Sequence, residues 1–259
     1  MKKSWIIFAA NFDIGASAAR LRQLDMGYLL TALGVFILLL ANNTLRWRTV
    51  MLAIDAVLPL WQSFQILYVG VFFNQPLPSS VGGDAVRMIL ARKHGLSLQG
   101  AVNGVMLERV VNVFGLIVLV VATQPFLLAR IGDNPAKFVF PALAAVANLA
   151  GDSKRLFLAP ARAMAAVGFG ILGMVLLSLM VYFIALSLGI AVSPIDCLVL
   201  VPPVMLIASV PISIAGWGLR ETAMVAAFGF VGVAEGDAFV LSLLFGLAGI
   251  VAALPGGLI

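Results

Sequence analysis

The sequence predicts an all-α fold, a polytopic membrane helix bundle with two broken or re-entrant segments that could form an internal repeat. The 259-residue chain is 63% hydrophobic and 10% charged, whereas soluble domains are about 45–50% apolar and roughly 25% charged. Several apolar runs approach the ~20 residues that a spanning helix needs. Two further runs are each interrupted by a stretch in which proline, serine, glycine and arginine occur at the same spacing. We treat residues 1–259 as a single transmembrane domain.

The first apolar runs predict two membrane helices. Residues 26–41 form a span bounded by polar sequence, with Trp47 beyond it as an interfacial anchor. The neighbouring Arg46 and Arg48 fit the flank of a membrane, where they would meet anionic headgroups. Residues 49–73 then predict a second helix.

A short helix and a long one follow the first interruption. Asp84 near the start and a basic cluster just before Gly95 predict a short amphipathic helix that cannot span the bilayer. Residues 97–129 predict another long helix, which Pro125 should kink or end.

The second half of the chain is harder to divide. Residues 138–151 predict only a short or tilted segment, whereas residues 163–189 predict a full span. The next apolar run, residues 197–221, contains Pro202, Pro203 and Pro211 and should therefore be broken. A last span is expected over residues 238–259, which brings the total to about five or six spans. Membrane orientation stays open because several arginines could lie at membrane depth.

Two stretches, PLPSSVGGDAVR and VPISIAGWGLRE, share the pattern P-x-S-x-x-G-x-x-x-R. Proline stops a helix and glycine permits a turn, and irregular backbone survives at membrane depth only where protein or a water-filled cavity satisfies it. Paired interruptions in two halves of a membrane protein point to a transporter's binding site, although two glycine- and proline-rich turns could also match by chance. The matching residues are Pro78, Ser80, Gly83 and Arg87 in the first stretch, and Pro211, Ser213, Gly216 and Arg220 in the second.

Acidic residues and arginines occur together near these stretches. Asp84 and Arg87, at i and i+3, can meet on one helical face. Neighbours on a helix, such as Glu108 and Arg109, point about 100° apart and should pair across segments instead. The third grouping is Arg220 with Glu221.

Arg220 is the only basic residue in the 97 positions after Arg162, so it needs a partner. Guanidinium groups bind phosphate with two parallel hydrogen bonds. This predicts a phosphate-containing headgroup held by three arginines, with three carboxylates as counterions when the site is empty. The alternative is an architectural ion-pair network. The arginines are Arg87, Arg109 and Arg220, and the carboxylates are those of Asp84, Glu108 and Glu221.

Other chemistry has little support in the sequence. One cysteine, Cys197, excludes an intramolecular disulfide, and one histidine, His94, leaves no Cys/His cluster for a metal, so we expect neither metal nor cofactor. The basic residues flank apolar runs, which argues against a nucleic-acid partner. GFGILG at 168–173 matches a dinucleotide fingerprint but lies inside an apolar run, where close helix packing explains it better.

Three ordered stretches resemble a known family: FFNQPLPSSVGGDAVRMILARKHGLS, then VMLERVV, then PISIAGWGLRE. They are similar to the membrane region of lysylphosphatidylglycerol synthases and of the stand-alone flippase-like proteins related to it, over most of the chain. Asp84 stands where that family usually has glutamate, and Asn112 where an aspartate often follows the Glu-Arg pair. These departures could alter the substrate.

The resemblance implies the handling of a membrane lipid. We therefore predict an integral membrane protein, not an enzyme, that binds an anionic lipid and moves it between leaflets through a central polar cavity. The alternatives are an intramembrane headgroup transferase and a non-catalytic accessory subunit of a lipid or glycolipid pathway. The predicted substrate-binding residues are Ser80, Gly83, Asp84, Arg87, Glu108, Arg109, Ser213, Gly216, Gly218, Arg220 and Glu221.

The expected ligand is a phospholipid or a polyprenyl-phosphate carrier. A further copy of the chain or a lipid-modifying enzyme could be its protein partner, and the prokaryotic cytoplasmic membrane is the expected location. The sequence has no nucleotide-binding loop of the G-x-x-x-x-G-K-[ST] type. Transport would therefore be passive, ion-coupled or dependent on a partner.

Overall fold

Helices are the regular elements of the described part of the chain. The computed structural model describes residues 24–75, 81–131, 160–209 and 217–259, and these ranges contain no strand. The elements are α1 (Met26–Ala53), α2 (Leu60–Phe73), α3 (Val81–Lys93), α4 (Leu98–Ile131), α5 (Pro160–Ser187), α6 (Pro194–Ala208), α7 (Leu219–Gly229), α8 (Glu235–Ala253) and a short 3-10 helix (Leu254–Leu258).

Four helices are long and apolar enough to cross a membrane. Helices α1, α4 and α5, and α8 together with the 3-10 helix after it, provide candidate spans of 24 to 28 residues. At 1.5 Å per residue of α-helix, such lengths suit the ~30 Å of the hydrocarbon core. This confirms the predicted all-α membrane helix bundle. The sequence predicts five or six spans; four are found in the described ranges, and the predicted span over residues 49–73 is not among them. The short segment predicted over residues 138–151 lies outside the described ranges.

Helix α1 continues well beyond the predicted residue 41. Its C-terminal half contains the polar run NNTLRWR, in which Asn42, Thr44, Arg46 and Trp47 are all buried. Trp47 is 0% exposed, so the prediction of an interfacial anchor is wrong. The prediction that Arg46 flanks the membrane is also wrong. The polar run stays helical because its side chains find partners inside the bundle.

The prediction of one helix over residues 49–73 is wrong as well. Helix α1 ends at Ala53, and α2 begins only at Leu60. Between them Asp55 has a φ of 57°, in the left-handed region, where Asp is one of the few non-glycine residues found routinely. Pro59 then lies in extended conformation just before α2, so residues 54–59 separate the two helices.

Helices α2 and α3 form a pair that leaves and returns at one end of the bundle. Residues 54–56 before α2 and residues 95–97 after α3 line the same cavity, which places both outer ends together. Helices of 14 and 13 residues reach only ~20 Å. Gly95 has the left-handed φ of 94° expected after the end of α3.

Gly83 packs the pair tightly at its inner end. It lies inside α3, so the turn predicted at this glycine is wrong. A Cβ on Gly83 would collide with the backbone oxygen of Gly70 in α2. Its N–H donates to Asn74 Oδ1 at 2.9 Å. Only glycine allows α2 and α3 to approach this closely.

Helices α6 and α7 form the second short pair, with 15 and 11 residues. Ser193 and Asp196 close a capping box at the start of α6. The helix runs unbroken through Pro202 and Pro203 to Ala208, and α7 begins only at Leu219. The predicted interruption of residues 197–221 is therefore confirmed, but Pro202 and Pro203 do not cause it. Both prolines are buried, and tight packing keeps the helix together although two backbone donors are missing.

The two pairs are attached to opposite ends of α1. The N–H of Asp25, at the start of α1, donates to the backbone oxygen of Ser187 at the end of α5, at 3.0 Å. The α6–α7 pair follows α5 and therefore begins near the start of α1. The α2–α3 pair follows the end of α1.

The G-x-G-x-x-G string packs α5 against α4, as predicted. A Cβ on Gly115 of α4 would lie 3.2 Å from the Cα of Gly170 in α5. The two backbones thus nearly touch, which small residues permit. Pro125 lies within α4, which continues to Ile131, so the proline does not end the helix.

Candidate functional site

A polar cavity lies where the two short helix pairs meet the long helices. Its volume is about 540 Å³, and its wall includes side chains from α1 to α8. Four arginines line it, and we call it the arginine cavity: Arg46, Arg87, Arg109 and Arg220. Asp84 and Glu108 are the acidic side chains on its described wall.

Asp84 holds two of these arginines. It lies in the first turn of α3, where a carboxylate is favoured by the helix dipole. Its Oδ1 accepts a hydrogen bond from Arg87 Nη1 at 3.4 Å, which confirms the predicted i,i+3 contact. Its Oδ2 accepts from Arg109 Nε of α4. Asp84 therefore connects α3 to α4 at the wall of the cavity.

Glu108 connects three helices. Its Oε1 accepts from Arg46 Nε of α1 at 2.9 Å, and its Oε2 accepts from Arg87 Nη1 of α3 at 3.0 Å. Glu108 is 4% exposed, so these bonds form away from bulk water. As predicted, Glu108 and the adjacent Arg109 pair across segments rather than with each other.

Arg46 is the functional candidate that sequence reasoning missed. It donates to Glu108 and also, through Nη1, to Asn112 Oδ1 at 2.6 Å. One signal was available: Asn42 and Arg46 are four residues apart and share a helix face if α1 continues through the polar run. Asn42 Nδ2 indeed donates to the backbone oxygen of Phe169 in α5 at 2.9 Å.

Arg87 is buried and only partly hydrogen-bonded. Its guanidinium carbon lies 4.5 Å from the centre of the Trp47 ring, in cation–π geometry. Its Cγ and Cδ pack against the bare backbone of Gly70. Nη1 carries both ion pairs, whereas Nε and Nη2 have no hydrogen-bond partner among the described residues. These two nitrogens form one edge of the guanidinium, the edge that binds an oxyanion through two parallel bonds.

Arg220 pairs with the residue next to it. Glu221 Oε1 accepts from Arg220 Nε at 3.1 Å and Nη2 at 2.8 Å, so the expectation that helix neighbours pair only across segments is wrong here. The reason is the position at the start of α7. Gly218 caps the helix with a φ of 89°, and Glu221 bends back to accept from its N–H. The carboxylate then lies within reach of the long arginine side chain. Ser242 Oγ donates to the same oxygen at 3.2 Å.

Aromatic rings and a glycine fix the Arg220 guanidinium. Its carbon lies 4.7 Å from the centre of the Trp217 ring and 5.4 Å from that of Phe245. A Cβ on Gly246 of α8 would collide with Arg220 Nη2. Gly246 therefore leaves the space that the guanidinium fills.

The structure brings most of the described site residues to one place. Gly83, Gly218 and Glu221 lie behind the wall and support residues on it. Ser80, Ser213 and Gly216 lie outside the described residues. The predicted residues on the wall of the arginine cavity are Asp84, Arg87, Glu108, Arg109 and Arg220.

The shared sequence spacing does not give the two arginines the same helical position. Arg87 is the seventh residue of α3, whereas Arg220 is the second residue of α7. The internal repeat therefore stays a prediction. Across the described ranges, no three His, Cys, Asp or Glu side chains form a group that could hold a metal ion.

These features define a class: an α-helical integral membrane protein with an arginine-lined polar cavity between two pairs of short helices. A family model described as the lysylphosphatidylglycerol synthase TM region matches residues 4–151 and 126–257. The chain belongs to this family, as the three ordered stretches predict, and the family links it to membrane lipid metabolism. Neither the curated proteins nor the solved structures include one that matches the chain.

Proposed function

We propose that the protein binds the headgroup of an anionic lipid in the arginine cavity and moves that lipid between the two leaflets. The observation that carries the proposal is the excess of arginine. Four arginines and two carboxylates line the cavity, and Glu221 pairs with Arg220 from behind its wall, so these groups together carry a net charge of 4 − 3 = +1. Buried like charges are costly unless a counterion accompanies them. A phosphate group would supply the missing negative charge.

The incomplete hydrogen bonding of Arg87 supports a phosphate group as that counterion. A buried hydrogen-bond donor without a partner costs free energy, and more so when it is charged. Nε and Nη2 of Arg87 both lack partners among the described residues. Two phosphate oxygens could accept hydrogen bonds from Nε and Nη2 of Arg87 after the guanidinium shifts from its position over Trp47.

The arrangement of the short helices supports movement across the bilayer. We infer that α2–α3 and α6–α7 are re-entrant pairs, because each of these helices is too short to span and the outer ends of α2 and α3 line one cavity. Their inner ends, at Asn74 and Asp84 in one pair and at Ser209 and Arg220 in the other, meet at the arginine cavity. Discontinuous helices that meet near the midplane are typical of transporter binding sites.

Reconstitution into liposomes tests the proposal. Phosphatidylglycerol labelled on an acyl chain is incorporated in both leaflets, and the label that moves outward is quenched from outside over time. Arg87→Ala and Arg220→Ala should each slow the protein-dependent movement by about tenfold or more. Arg92→Ala is the matched control, because Arg92 lies in the exposed last turn of α3. Folded mutants that move lipid as fast as the wild type would refute the proposal.

The same liposomes distinguish the proposed lipid transport from the two alternatives, a headgroup transferase and an accessory subunit. Mass spectrometry of the extracted lipids would reveal a new lipid species if the protein were a headgroup transferase. An accessory subunit would move no lipid alone, and its Arg87 and Arg220 variants would lose binding to a lipid-modifying enzyme instead. We place the protein in the prokaryotic cytoplasmic membrane and leave a homo-oligomer as a further assembly to test.

A further inference from the structure

A second cavity lies at the outer ends of α2 and α3. Its volume is about 640 Å³, and no described residue lines both this cavity and the arginine cavity. The segment between α1 and α2, the segment between α3 and α4, and one face of α4 form its wall. We call it the outer cavity. It is lined by residues 54–56, by residues 95–97 and by side chains of α4 between Gln99 and Val110.

The polar end of the outer cavity is acidic. Asp55 is exposed and is the one ionisable side chain on the described wall. Its carboxylate has no hydrogen bond or ion pair with the described residues, and the side-chain amides of Gln99 and Asn103 have no described partner either. Ser97 Oγ accepts from the N–H of Gly100 at 3.0 Å, so its O–H can still donate. The polar end thus offers one carboxylate and several neutral donors.

The other end of the outer cavity is apolar and lies within a membrane span. Met106, Leu107 and Val110 form this end, and they belong to the candidate span Leu98–Thr123 of α4. Met106 and Phe114 are 44% and 45% exposed, and with Val110 between them they lie at a spacing of four on one helix face. The polar end directly follows α1, another candidate span, so it lies near the membrane surface. The outer cavity therefore has the polarity of a lipid.

We propose that the outer cavity binds a zwitterionic phospholipid whose headgroup carries an ammonium group. An ammonium has three donors and no acceptor, and the unpaired carboxylate of Asp55 can accept from it. The hydroxyl of Ser97 and the amides of Gln99 and Asn103 can donate to the phosphate. The single negative charge on the described wall disfavours a headgroup with a net negative charge. An acyl chain would pack along the apolar face of α4.

The inference goes beyond the proposed function, because this lipid is held in a separate site rather than moved. The headgroup would touch the segment before α2, the segment after α3 and the first turns of α4. A ligand that binds only the folded state stabilises that state. The bound phospholipid would therefore hold the outer end of the α2–α3 pair against α4, and α3 carries Arg87 on the wall of the arginine cavity.

Photoaffinity labelling mapped to single residues tests the site. The full chain is reconstituted with phosphatidylethanolamine that carries a diazirine on its acyl chain or, in parallel, with the same lipid after acetylation of its amine. The two probes have the same phosphate and chains, but only the first has an ammonium group. Labelling of Met106, Val110 and Phe114 by the amine lipid should exceed labelling by the acetylated lipid by about three- to fivefold, the upper range for a solvent-exposed ion pair.

Variants then test the polar end. Asp55→Asn should remove the preference, because asparagine tolerates the left-handed φ of 57° but carries no charge. Asn103→Leu should lower labelling by the amine lipid by about threefold, because it removes a donor to the phosphate and fills the polar end. Glu235→Gln removes an exposed acidic residue at the start of α8 and should leave the preference unchanged. Thermal unfolding in detergent confirms that each variant is folded.

The outcomes separate this inference from the proposed function. Equal labelling by the two lipids in the wild type would overturn the inference and leave this face of α4 as ordinary lipid contact. A preference that persists in folded Asp55→Asn would overturn it as well, because the ammonium would then lie elsewhere. Folded Arg87→Ala should keep the labelling preference while it loses lipid movement. A wild type that shows the preference but moves no lipid would support the outer cavity and refute translocation.

Discussion

Arg46 and Glu108 form a buried ion pair although they are 62 positions apart in the chain. Arg46 Nε donates to Glu108 Oε1 at 2.9 Å, and both side chains are almost entirely enclosed. The pair ties the C-terminal third of α1 to α4, and the other oxygen of Glu108 ties α3 to the same point. Glu108 is thus the acidic centre of the arginine cavity, and removing its charge should affect both folding and binding.

Glu108→Gln should destabilise the protein by about 3–5 kcal/mol, the usual cost of removing one partner of a buried ion pair. The reason is that Arg46 loses its carboxylate partner, while Arg87 keeps only the longer bond to Asp84. Thermal unfolding in detergent measures the change. Glu235→Gln, at the exposed start of α8, is the control and should melt like the wild type. A Glu108→Gln protein as stable as that control would contradict the prediction.

A double-mutant cycle should show that Arg46 and Glu108 are coupled. Arg46→Met removes the charge but keeps an unbranched side chain. The cost of the double variant with Glu108→Gln should be smaller than the sum of the single costs by about 0.5–3 kcal/mol, the range for residues in one ion-pair network. Unfolding free energies of the four proteins, measured in the same detergent, give the coupling. Strictly additive costs would show that the pair contributes nothing as a pair.

The local features of the sequence predicted structure well. The contact between Asp84 and Arg87 follows from helical spacing alone, and the left-handed Gly95 follows from the end of a short helix. The apolar length of α5 likewise predicted a spanning helix. These predictions hold because each depends on residues within a few positions of one another.

The features that depend on distant partners were not predictable in the same way. The run NNTLRWR looks like a membrane flank until Glu108, Asn112 and the backbone of Phe169 are placed around it. Pro202 looks like a helix break until the packing around α6 is known. The shared P-x-S-x-x-G-x-x-x-R pattern predicted that Arg87 and Arg220 line one cavity, and they do. The pattern did not show that the two arginines occupy different positions in their helices.

Gly246→Ala should destabilise the protein by about 1–3 kcal/mol, the cost of overpacking a filled site. The added methyl group would collide with Arg220 Nη2 and lie 2.8 Å from the nearest carbon of the Trp217 ring. Gly249→Ala is the matched control in the same helix, because a Cβ there meets nothing within 4 Å. That control should be neutral or slightly stabilising, since alanine favours helix over glycine by up to about 1 kcal/mol. Equal melting temperatures for the two variants would show that Arg220 can shift without cost.

Arg87→Lys should weaken the retention of phosphatidylglycerol although the charge is conserved. Lysine has no guanidinium edge with which to bind two phosphate oxygens, so binding should fall by about tenfold. The variant should also lose the planar contact with the Trp47 ring, which lies 4.5 Å from the arginine carbon. Mass spectrometry of the lipid bound to detergent-extracted protein measures the loss, and thermal unfolding confirms that the variant is folded. Arg92→Lys, made at the exposed end of α3, is the control for arginine replacement as such. If folded Arg87→Lys retained as much phosphatidylglycerol as the wild type, the site would need only a positive charge, and the two unpartnered nitrogens of Arg87 would have no part in binding.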